Sequence, residues 1–269
     1  MELFSITSGS SGNCICTGNA NNHVMIDVGI SGKKIEEGLN TYDFTTSDMD
    51  AILITHEHSD HIQGLGVISR KYHIPIYATA GTIRELRGPL GQKRLGQIDD
   101  ALFHVVRPDE DFQIGSLKIH PFRVSHDAVD PVAYTVADDK AKVGVCTDLG
   151  YFDDYIVDNL AGSNLLLIES NHDVRMLQVG SYAYPLKQRI LSDMGHLSNE
   201  SGGQLVGKLL HDDVKHVFLG HLSQENNLPE LAYETVKLEV TMGENPYKGT
   251  DFPIEVARRD MVSRRVECL

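Results

Sequence analysis

The chain has 269 residues, of which 41% are hydrophobic and 23% are charged, a balance typical of a soluble globular protein with a buried core. Its formal net charge of −14 argues against broad, sequence-independent attraction to nucleic acid or acidic membranes. No apolar stretch approaches the length of a membrane span, and the first residues lack the basic and apolar regions of a secretory signal. We therefore predict a cytoplasmic location without membrane association.

Short β-type runs separated by turns dominate the first half of the chain, and helices become more frequent in the second half. This mixture predicts an α/β fold in which two sheets pack together and helices cover their outer faces. No repeat or linker marks a boundary, so we expect residues 1–269 to form a single domain. The predicted strands are 3–7, 14–17, 24–28, 51–55, 74–78, 117–124, 132–137, 142–147, 165–168 and 214–219. The predicted helices are 31–40, 62–72, 152–160, 184–191, 201–210 and 229–240.

Between the first two predicted strands lies a glycine-rich turn, residues 8–13, with the sequence Ser-Gly-Ser-Ser-Gly-Asn. The backbone amides of such a turn can bind an anion, although a plain hairpin connection is the simpler interpretation. At the other end of the chain, four arginines lie close together, and the simplest interpretation is a solvent-exposed terminal strand or helix. These arginines are Arg258, Arg259, Arg264 and Arg265.

The strand predicted at 51–55 ends at a hexapeptide that is rich in metal-ligating side chains. His56, His58, Asp60 and His61 occupy positions i, i+2, i+4 and i+5 around the sequence His-Glu-His-Ser-Asp-His. A catalytic zinc ion usually takes three protein ligands and keeps one position open for water. Four candidates in one short loop therefore predict two ions side by side, with further ligands from elsewhere. Zinc and manganese fit imidazole and carboxylate ligands best, and iron is a further option.

Three more candidate ligands each follow a predicted strand: His126, Asp148 and His221. A sheet whose strand ends share one edge can bring such side chains together. Seven ligands of this kind are what a hydrolytic site with two metal ions requires. The four cysteines show neither zinc-finger nor Cys-x-x-Cys spacing, and we expect Cys14 and Cys16 to behave as small buried apolar groups.

This pattern resembles the metallo-β-lactamase-fold superfamily over most of the chain. Its five motifs are matched in order by Asp27, residues 56–61, His126, Asp148 and His221. The resemblance implies a four-layer αββα sandwich with the site at one sheet edge, and it places Asp27 behind the ligand loop rather than on a metal. It implies that one ion is held by His56, His58 and His126, that the other is held by Asp60, His61 and His221, and that Asp148 bridges both. Asp60 also counts among the catalytic residues by this resemblance.

Two further residues favour a phosphodiesterase within this superfamily. Glu169 ends the strand predicted at 165–168, and His196 precedes the helix predicted at 201–210. The pair resembles the acid and histidine of superfamily phosphodiesterases, including tRNA 3′-processing nucleases. The resemblance implies that Glu169 orients His196, which donates a proton to the leaving oxygen. The alternative is an ordinary strand-end carboxylate and a histidine beside a helix start. His172 lies three residues after Glu169, near the presumed cleft.

The segments around residues 9–13, 195–199 and 220–226 are most similar to the bacterial YycJ (WalJ) group of 5′→3′ DNA exonucleases connected with repair. In nuclease relatives, the positions of Ser223 and Asn226 contact phosphate or nucleotide, although either residue could simply form a turn. The resemblance therefore implies a 5′→3′ exonuclease that uses two divalent ions, with DNA as its substrate and RNA as the alternative.

Two other functions remain open. A hydrolase of a small thioester, lactone or cyclic nucleotide would use the same metal ligands but would not require Glu169 or His196. A metal-sensing protein would have the ligands without turnover. The first alternative is distinguished from a phosphodiesterase by a variant of His196.

Overall fold

Two seven-stranded mixed sheets form the centre of the computed structural model, which describes residues 1–268. The strands are β1 (Glu2–Thr7), β2 (Cys14–Gly18), β3 (His23–Ile26), β4 (Ala51–Leu53), β5 (Ile76–Thr79), β6 (Phe103–Val106), β7 (Phe112–Ile114), β8 (Leu117–Arg123), β9 (Val132–Ala137), β10 (Lys142–Cys146), β11 (Leu165–Glu169), β12 (His216–Gly220), β13 (Ile254–Val256) and β14 (Val266–Glu267). The helices are α1 (Gly32–Asn40), α2 (Ser59–Ile62), α3 (Leu65–Tyr72), α4 (Ala80–Arg87), α5 (Pro89–Leu95), α6 (Asp154–Leu160), α7 (Val174–Val179), α8 (Tyr184–Ile190), α9 (Asn199–Leu209) and α10 (Pro229–Met242).

The strand order is β14-β1-β2-β3-β4-β5-β6 in the first sheet and β13-β12-β11-β10-β9-β8-β7 in the second. Strands β3 to β6 run parallel to one another, and so do strands β10 to β13. The other neighbours are antiparallel. The carboxyl ends of parallel strands lie together at one edge of a sheet, where functional loops gather.

The two sheets share one apolar core and therefore pack face to face. Leu3 and Leu53 of the first sheet lie in the same buried cluster as Leu165 and Phe218 of the second. Because side chains alternate along a strand, Phe4 points the other way, into a cluster that contains residues of α1 and α3. A third cluster joins the outer face of the second sheet to α9 and α10. These layers confirm the predicted αββα sandwich, and the single domain over residues 1–269 stays a prediction.

The helix predicted over 62–72 is two helices in the structure, α2 and α3, separated near Gly64. The backbone N–H of Gly64 donates to the carbonyl oxygen of Val28 at 2.8 Å, so this peptide is tied to the loop after β3. A Cβ at Gly64 would lie 2.3 Å from the carbonyl oxygen of Ile30, a separation that only glycine permits. The helix therefore starts earlier than predicted, inside the ligand hexapeptide, and its first turn carries Asp60 and His61.

Several short elements were missed by the sequence analysis, namely α4, α5, α7, β6, β7, β13 and β14. Strands β7, β13 and β14 have two or three residues each, too few to show a period. The Gly88-Pro89 pair divides α4 from α5, so no long helical pattern is visible there. Within residues 1–268, no helix is long and apolar enough to span a membrane.

The four arginines of the tail lie in the connection between β13 and β14, outside both strands, and they are not uniformly exposed. The simple interpretation of a solvent-exposed terminal strand or helix is therefore wrong for these residues. Strand β14 pairs with β1 at the edge of the first sheet, and Arg265 forms an ion pair with Glu2 of β1. Arg259 is half-buried and donates to the carbonyl oxygen of Ser223 at 3.1 Å. Two of the four arginines thus have specific structural partners.

Candidate metal centre

The candidate ligands converge where the parallel strands of the two sheets end. Two of them, Asp148 and His221, lie just after a strand end with left-handed backbone conformations, and so does Asp27 behind the ligand loop. The φ angles of Asp148, His221 and Asp27 are 60°, 55° and 61°. Such angles are uncommon for residues other than glycine and cost roughly 1–3 kcal/mol each, so surrounding contacts must hold them. The sharp turn of the chain after each of these strands directs the side chains toward a common point.

The structure brings all seven predicted ligands together. The ligand atoms of His56, His58 and His126 lie within 4.8 Å of one another. The same is true of a second group and of a third group that includes Asp148. The second group is Asp60, His61 and His221, and the third is His56, His61 and Asp148. These groups correspond to the two ion positions and the bridging carboxylate that the resemblance implies.

The ligand loop approaches the preceding strand connection very closely. A Cβ on Gly29 would lie 1.6 Å from the carbonyl oxygen of Asp60, so only glycine fits at this position. The backbone N–H of Asn13 donates to the same oxygen at 2.8 Å, and the side-chain nitrogen of Asn13 lies 3.2 Å from Nε2 of His61. The glycine-rich turn is the hairpin connection between β1 and β2, and it also fixes the backbone of the ligand loop.

Hydrogen bonds on the far side of three imidazole rings determine which nitrogen faces the centre. Nδ1 of His61 lies 2.7 Å from Oδ2 of Asp27, and Nδ1 of His126 lies 3.0 Å from the carbonyl oxygen of Gly195. Nδ1 of His221 lies 2.9 Å from a carboxylate oxygen of Glu169. Because these oxygens can only accept, each Nδ1 carries the proton. In the neutral ring, Nε2 then presents a lone pair to the centre, as a metal ligand requires.

Several ring nitrogens that face the centre lie close to carboxylate oxygens or to other ring nitrogens, which are also hydrogen-bond acceptors. Nε2 of His61 lies 3.4 Å from an oxygen of Asp60 and 3.3 Å from one of Asp148. Nε2 of His126 lies 3.3 Å from Nδ1 of His58. Nε2 of His56 is buried and has no hydrogen-bond partner among residues 1–268. Lone pairs at these separations repel unless protons or cations lie between them, so the donor set fits divalent metal ions.

The pKa values of two ligand histidines show that the carboxylates favour positive charge beside them. Burial alone would lower the pKa of His61, but Asp148, Asp27 and Asp60 raise it well above its usual value. Burial likewise opposes the charged form of His221, yet Asp148, Asp60 and Glu169 raise its pKa to about 10. In the metal-free protein, protons on His61 and His221 therefore offset part of the carboxylate charge. Divalent ions compete with those protons for the same nitrogens.

Glu169 joins the ligand cluster to His196. Its side chain is fully buried, and one oxygen accepts hydrogen bonds from Nδ1 of His196 (2.8 Å) and from Nδ1 of His221 (2.9 Å). The other oxygen accepts from the backbone N–H groups of Leu197 (2.9 Å) and Leu149 (3.2 Å). Burial would raise the pKa of Glu169, but the charge of His196 and these hydrogen bonds lower it to about 2.

His196 occupies the mouth of the site, where its side chain is 18% exposed. It precedes α9, whose first turn is capped by the hydroxyl of Ser198, which accepts from the backbone N–H of Ser201 at 3.2 Å. Its Nδ1 also lies 3.8 Å from an oxygen of Asp148. The structure thus places the predicted acid–histidine pair next to the candidate bridging ligand.

Ser223 and Asn226, the predicted substrate-binding residues, have different surroundings. Ser223 lines a cavity beside His196, whereas Asn226 is 1% exposed and its side-chain amide has no hydrogen-bond partner within residues 1–268. The backbone N–H of Asn226 donates to the hydroxyl of Ser223 at 3.2 Å, so the two residues also form a turn. Contact of either residue with substrate stays a prediction. His172 is buried, and burial lowers its pKa to about 4, so it is neutral at pH 7.

The sequence analysis missed the residues that line the approach to His196. Tyr182 and Arg189 border the same cavity as Ser223, and so does Ser10 of the glycine-rich turn. Tyr182 and Arg189 belong to a segment that carries no metal-ligand pattern, and only the folded chain brings Ser10 beside it. The only feature of the sequence that could have indicated this cavity was the positive charge of Arg189. A basic residue in a helix is most often solvent-exposed, so this charge alone does not predict a binding site.

The sandwich and the histidine–aspartate cluster at its edge define a protein of the metallo-β-lactamase type. Residues 26–221 match the family model described as "Beta-lactamase superfamily domain". The chain therefore belongs to the beta-lactamase superfamily.

Relatives with known names confirm the predicted resemblance to the YycJ (WalJ) group. The chain is 41% identical over 249 residues to "Exodeoxyribonuclease WalJ" of Streptococcus pneumoniae, covering 93% of this chain and 91% of the relative. It is 38% identical over 236 residues to "Exodeoxyribonuclease YycJ" of Bacillus anthracis, covering 86% of each. Both relatives are hydrolytic enzymes by name, in agreement with the predicted enzyme class. The Zn²⁺-bound crystal structure of PqqB from Methylobacterium extorquens shares the fold, with a TM-score of 0.71, 14% identity and 100% of both chains covered.

Proposed function

We propose that this chain is a phosphodiester hydrolase that depends on two divalent metal ions and degrades DNA from the 5′ end. The observation that carries the proposal is the Glu169–His196 pair beside Asp148, because a proton donor next to a metal cluster is what departure of a sugar oxygen requires. The names of the two exodeoxyribonuclease relatives, at 41% and 38% identity, support the substrate class.

In this proposal the ligands divide as the interatomic distances suggest. His56, His58 and His126 hold one ion, and Asp148 is shared between the two. The second ion is held by Asp60, His61 and His221. Zinc or manganese at these positions would activate a water molecule and offset the negative charge of the phosphate. Asp27 holds the ring of His61 in its ligand orientation, and Asp60 serves the reaction by positioning its ion.

His196 is the general acid in this proposal. Glu169 accepts a hydrogen bond from Nδ1–H, which leaves Nε2–H as the group that donates a proton to the leaving oxygen. The acid and its partner differ in accessibility, since Glu169 is buried whereas His196 is partly exposed at the mouth of the site. A substrate can therefore reach His196, and only His196 can move a proton to it.

The test combines two variants with two substrates in the presence of Mn²⁺. We expect Asp148→Ala to abolish hydrolysis of both 5′-end-labelled single-stranded DNA and thymidine 5′-(p-nitrophenyl phosphate). We expect His196→Ala to slow DNA cleavage by roughly 10²–10⁴-fold, the usual contribution of a general acid. The rate of hydrolysis of the p-nitrophenyl ester by His196→Ala should fall much less, because p-nitrophenolate leaves without protonation. His104→Ala, an exposed histidine on β6, is the matched control.

Undiminished DNA cleavage by both site variants would refute the proposal. A His196→Ala variant that keeps full activity on a thioester, lactone or cyclic nucleotide, in a protein without activity on DNA, would establish the small-substrate alternative. Release of labelled mononucleotide as the first product from the 5′ label establishes polarity, and parallel RNA substrates settle the choice of nucleic acid. The repair role and the cytoplasmic location stay predictions from the sequence.

A further inference from the structure

A small cavity of about 150 Å³ opens directly beside His196. Pockets that bury a drug-sized ligand start at roughly 300 Å³, so this cavity is large enough for one part of a nucleotide and too small for several. We call it the α8 pocket and define it by the residues used below. They are Arg189, the three residues Tyr182, Leu186 and Ile190, which we call the first wall, and the two residues Asn171 and Ser223, which we call the second wall.

The first wall of the α8 pocket is apolar and firmly held. Leu186 and Ile190 are one helical turn apart, so they lie on the same face of α8, and both are half-buried together with Tyr182. The ammonium group of Lys187 donates to the carbonyl oxygens of Gln178 (2.8 Å) and Gly180 (2.6 Å). Lys187 thus joins α8 to the segment before it and helps to fix the position of this wall.

The second wall is polar and is tied to the metal centre. The side chain of Asn171 donates to the carbonyl oxygen of His221 at 2.9 Å, which leaves its amide oxygen available for another donor. The backbone N–H of Ser223 donates to the carbonyl oxygen of Asn171 at 2.8 Å. A cavity lined by apolar side chains together with amide and hydroxyl groups suits a nucleobase, which is flat and apolar on its faces and polar at its edge.

Arg189 lines the α8 pocket and is linked to the metal centre through Asp127. Its Nε donates to Asp127, and the other oxygen of Asp127 lies 3.4 Å from Nε2 of His126. The side chain of Arg189 is 51% exposed, so the terminal N–H groups of the guanidinium are accessible to a phosphate oxygen. Asp127 thus fixes this cation beside the place where the phosphate would bind.

We propose that the α8 pocket binds the base of the leaving nucleoside, while Arg189 contacts an oxygen of the same phosphodiester. The inference rests on the proposed function, in which His196 protonates the leaving oxygen. Because His196 lines the pocket, the group inside it is the one that departs. The leaving atom that produces a new 5′-phosphate is the 3′ oxygen, so the pocket receives the nucleoside at the 5′ end. A pocket for a single base then accounts for removal of one nucleotide at a time.

The deciding measurement uses the unaltered enzyme, with Mn²⁺, on two short single-stranded DNAs. One carries a normal 5′-terminal nucleotide, and the other carries an abasic tetrahydrofuran residue there. We expect kcat/KM for the first cleavage to fall by roughly fivefold to hundredfold on the abasic substrate, the range expected for loss of one stacked base. Equal values on the two substrates would overturn the inference and leave the proposed function intact. No cleavage of either DNA would overturn both.

A variant that fills the α8 pocket gives an independent measurement. Ile190→Trp should reduce kcat/KM on the normal substrate at least tenfold, because the terminal base can no longer enter the pocket. For the same reason, this variant should cut the normal and abasic substrates at the same rate. Gln188→Trp adds the same side chain on the exposed side of α8 and should behave as the unaltered enzyme does. Retention of the preference for a terminal base by Ile190→Trp would overturn the inference.

Discussion

Replacing Glu169 by glutamine tests whether one buried carboxylate supports both His196 and His221. The two side chains have the same shape, but glutamine has a single acceptor oxygen where glutamate has two. If that oxygen keeps the bonds to the backbone N–H groups of Leu197 and Leu149, the amide NH₂ faces two imidazole N–H groups. His221 must then move or change tautomer, and a proton on its Nε2 would prevent metal ligation.

The magnitude follows from the pKa of Glu169. An unpaired glutamate titrates near 4.5, and the folded protein lowers this pKa to about 2. The difference of about 2.5 units corresponds to on the order of 3 kcal/mol, at about 1.36 kcal/mol per unit. Since the folded pKa is depressed, this stabilisation is present above pH 4.5 and is lost as the pH falls toward 2. At pH 7, Glu169→Gln should therefore lower the free energy of unfolding of the metal-free protein by about that amount.

Three measurements check this prediction. Urea unfolding in EDTA gives the loss of stability, chelator competition gives the metal affinity, and DNA hydrolysis gives kcat. We expect a roughly 10–100-fold loss of metal affinity, the usual effect of removing a partner behind a metal ligand. Glu225→Gln, an exposed carboxylate that contacts Ser181, should change none of the three. If Glu169→Gln matches the control in stability and in metal affinity, then Glu169 does not link the two histidines as the structure indicates.

Two further variants test single contacts. Asp27→Asn should weaken metal binding roughly 10–100-fold, because Asp27 accepts a hydrogen bond from Nδ1 of His61 at 2.7 Å and fixes the tautomer of this ligand. Chelator competition measures the affinity, and Asp50→Asn, at an exposed position, is the control. Metal affinities of the two variants within twofold of each other would contradict the prediction. His216→Leu should reduce acid sensitivity, because burial lowers the pKa of His216 to about 4 while the unfolded chain takes up this proton near pH 6.5. Between pH 7.5 and 5.0, the free energy of unfolding of the metal-free wild-type protein should therefore fall by about 2 kcal/mol more than that of the variant. This figure corresponds to about 1.5 pH units at about 1.36 kcal/mol per unit. Urea titrations at the two pH values measure the losses, and equal losses for the two proteins would refute the prediction.

The sequence predicted that the candidate ligands lie close together, because those residues follow a simple rule of β-structure. An apolar run directly precedes the hexapeptide at residues 56–61, and another precedes each of the ligands Asp148 and His221. The carboxyl ends of parallel strands lie together at one edge of a sheet. Each short run was long enough to be recognised as a strand. Glu169 could be placed for the same reason, as the last residue of β11.

The walls around the site could not be predicted in this way. Arg189 lies near His126 because it is held by Asp127, which is 62 positions away from it in the chain. Asn13 contacts the ligand loop, 47 positions away, through its backbone N–H and its side-chain amide, and no local sequence pattern reveals this contact. The break between α2 and α3 depends in the same way on a backbone hydrogen bond from Gly64 to Val28. Contacts of this kind depend on packing across the two sheets rather than on local periodicity.

The chain is acidic and so is its proposed substrate, and the metal centre can explain how the two would bind despite their like charges. Four carboxylates meet there, those of Asp27, Asp60, Asp148 and Glu169, and the pKa values of the last three are depressed. In the metal-free protein protons on His61 and His221 offset only part of this negative charge, which leaves no net attraction for a phosphate. Two divalent ions would bring about +4 to this point and release those protons. In the proposed function, the same carboxylates would thus concentrate the cations that bind the substrate, and Arg189 would contact the phosphate beside them.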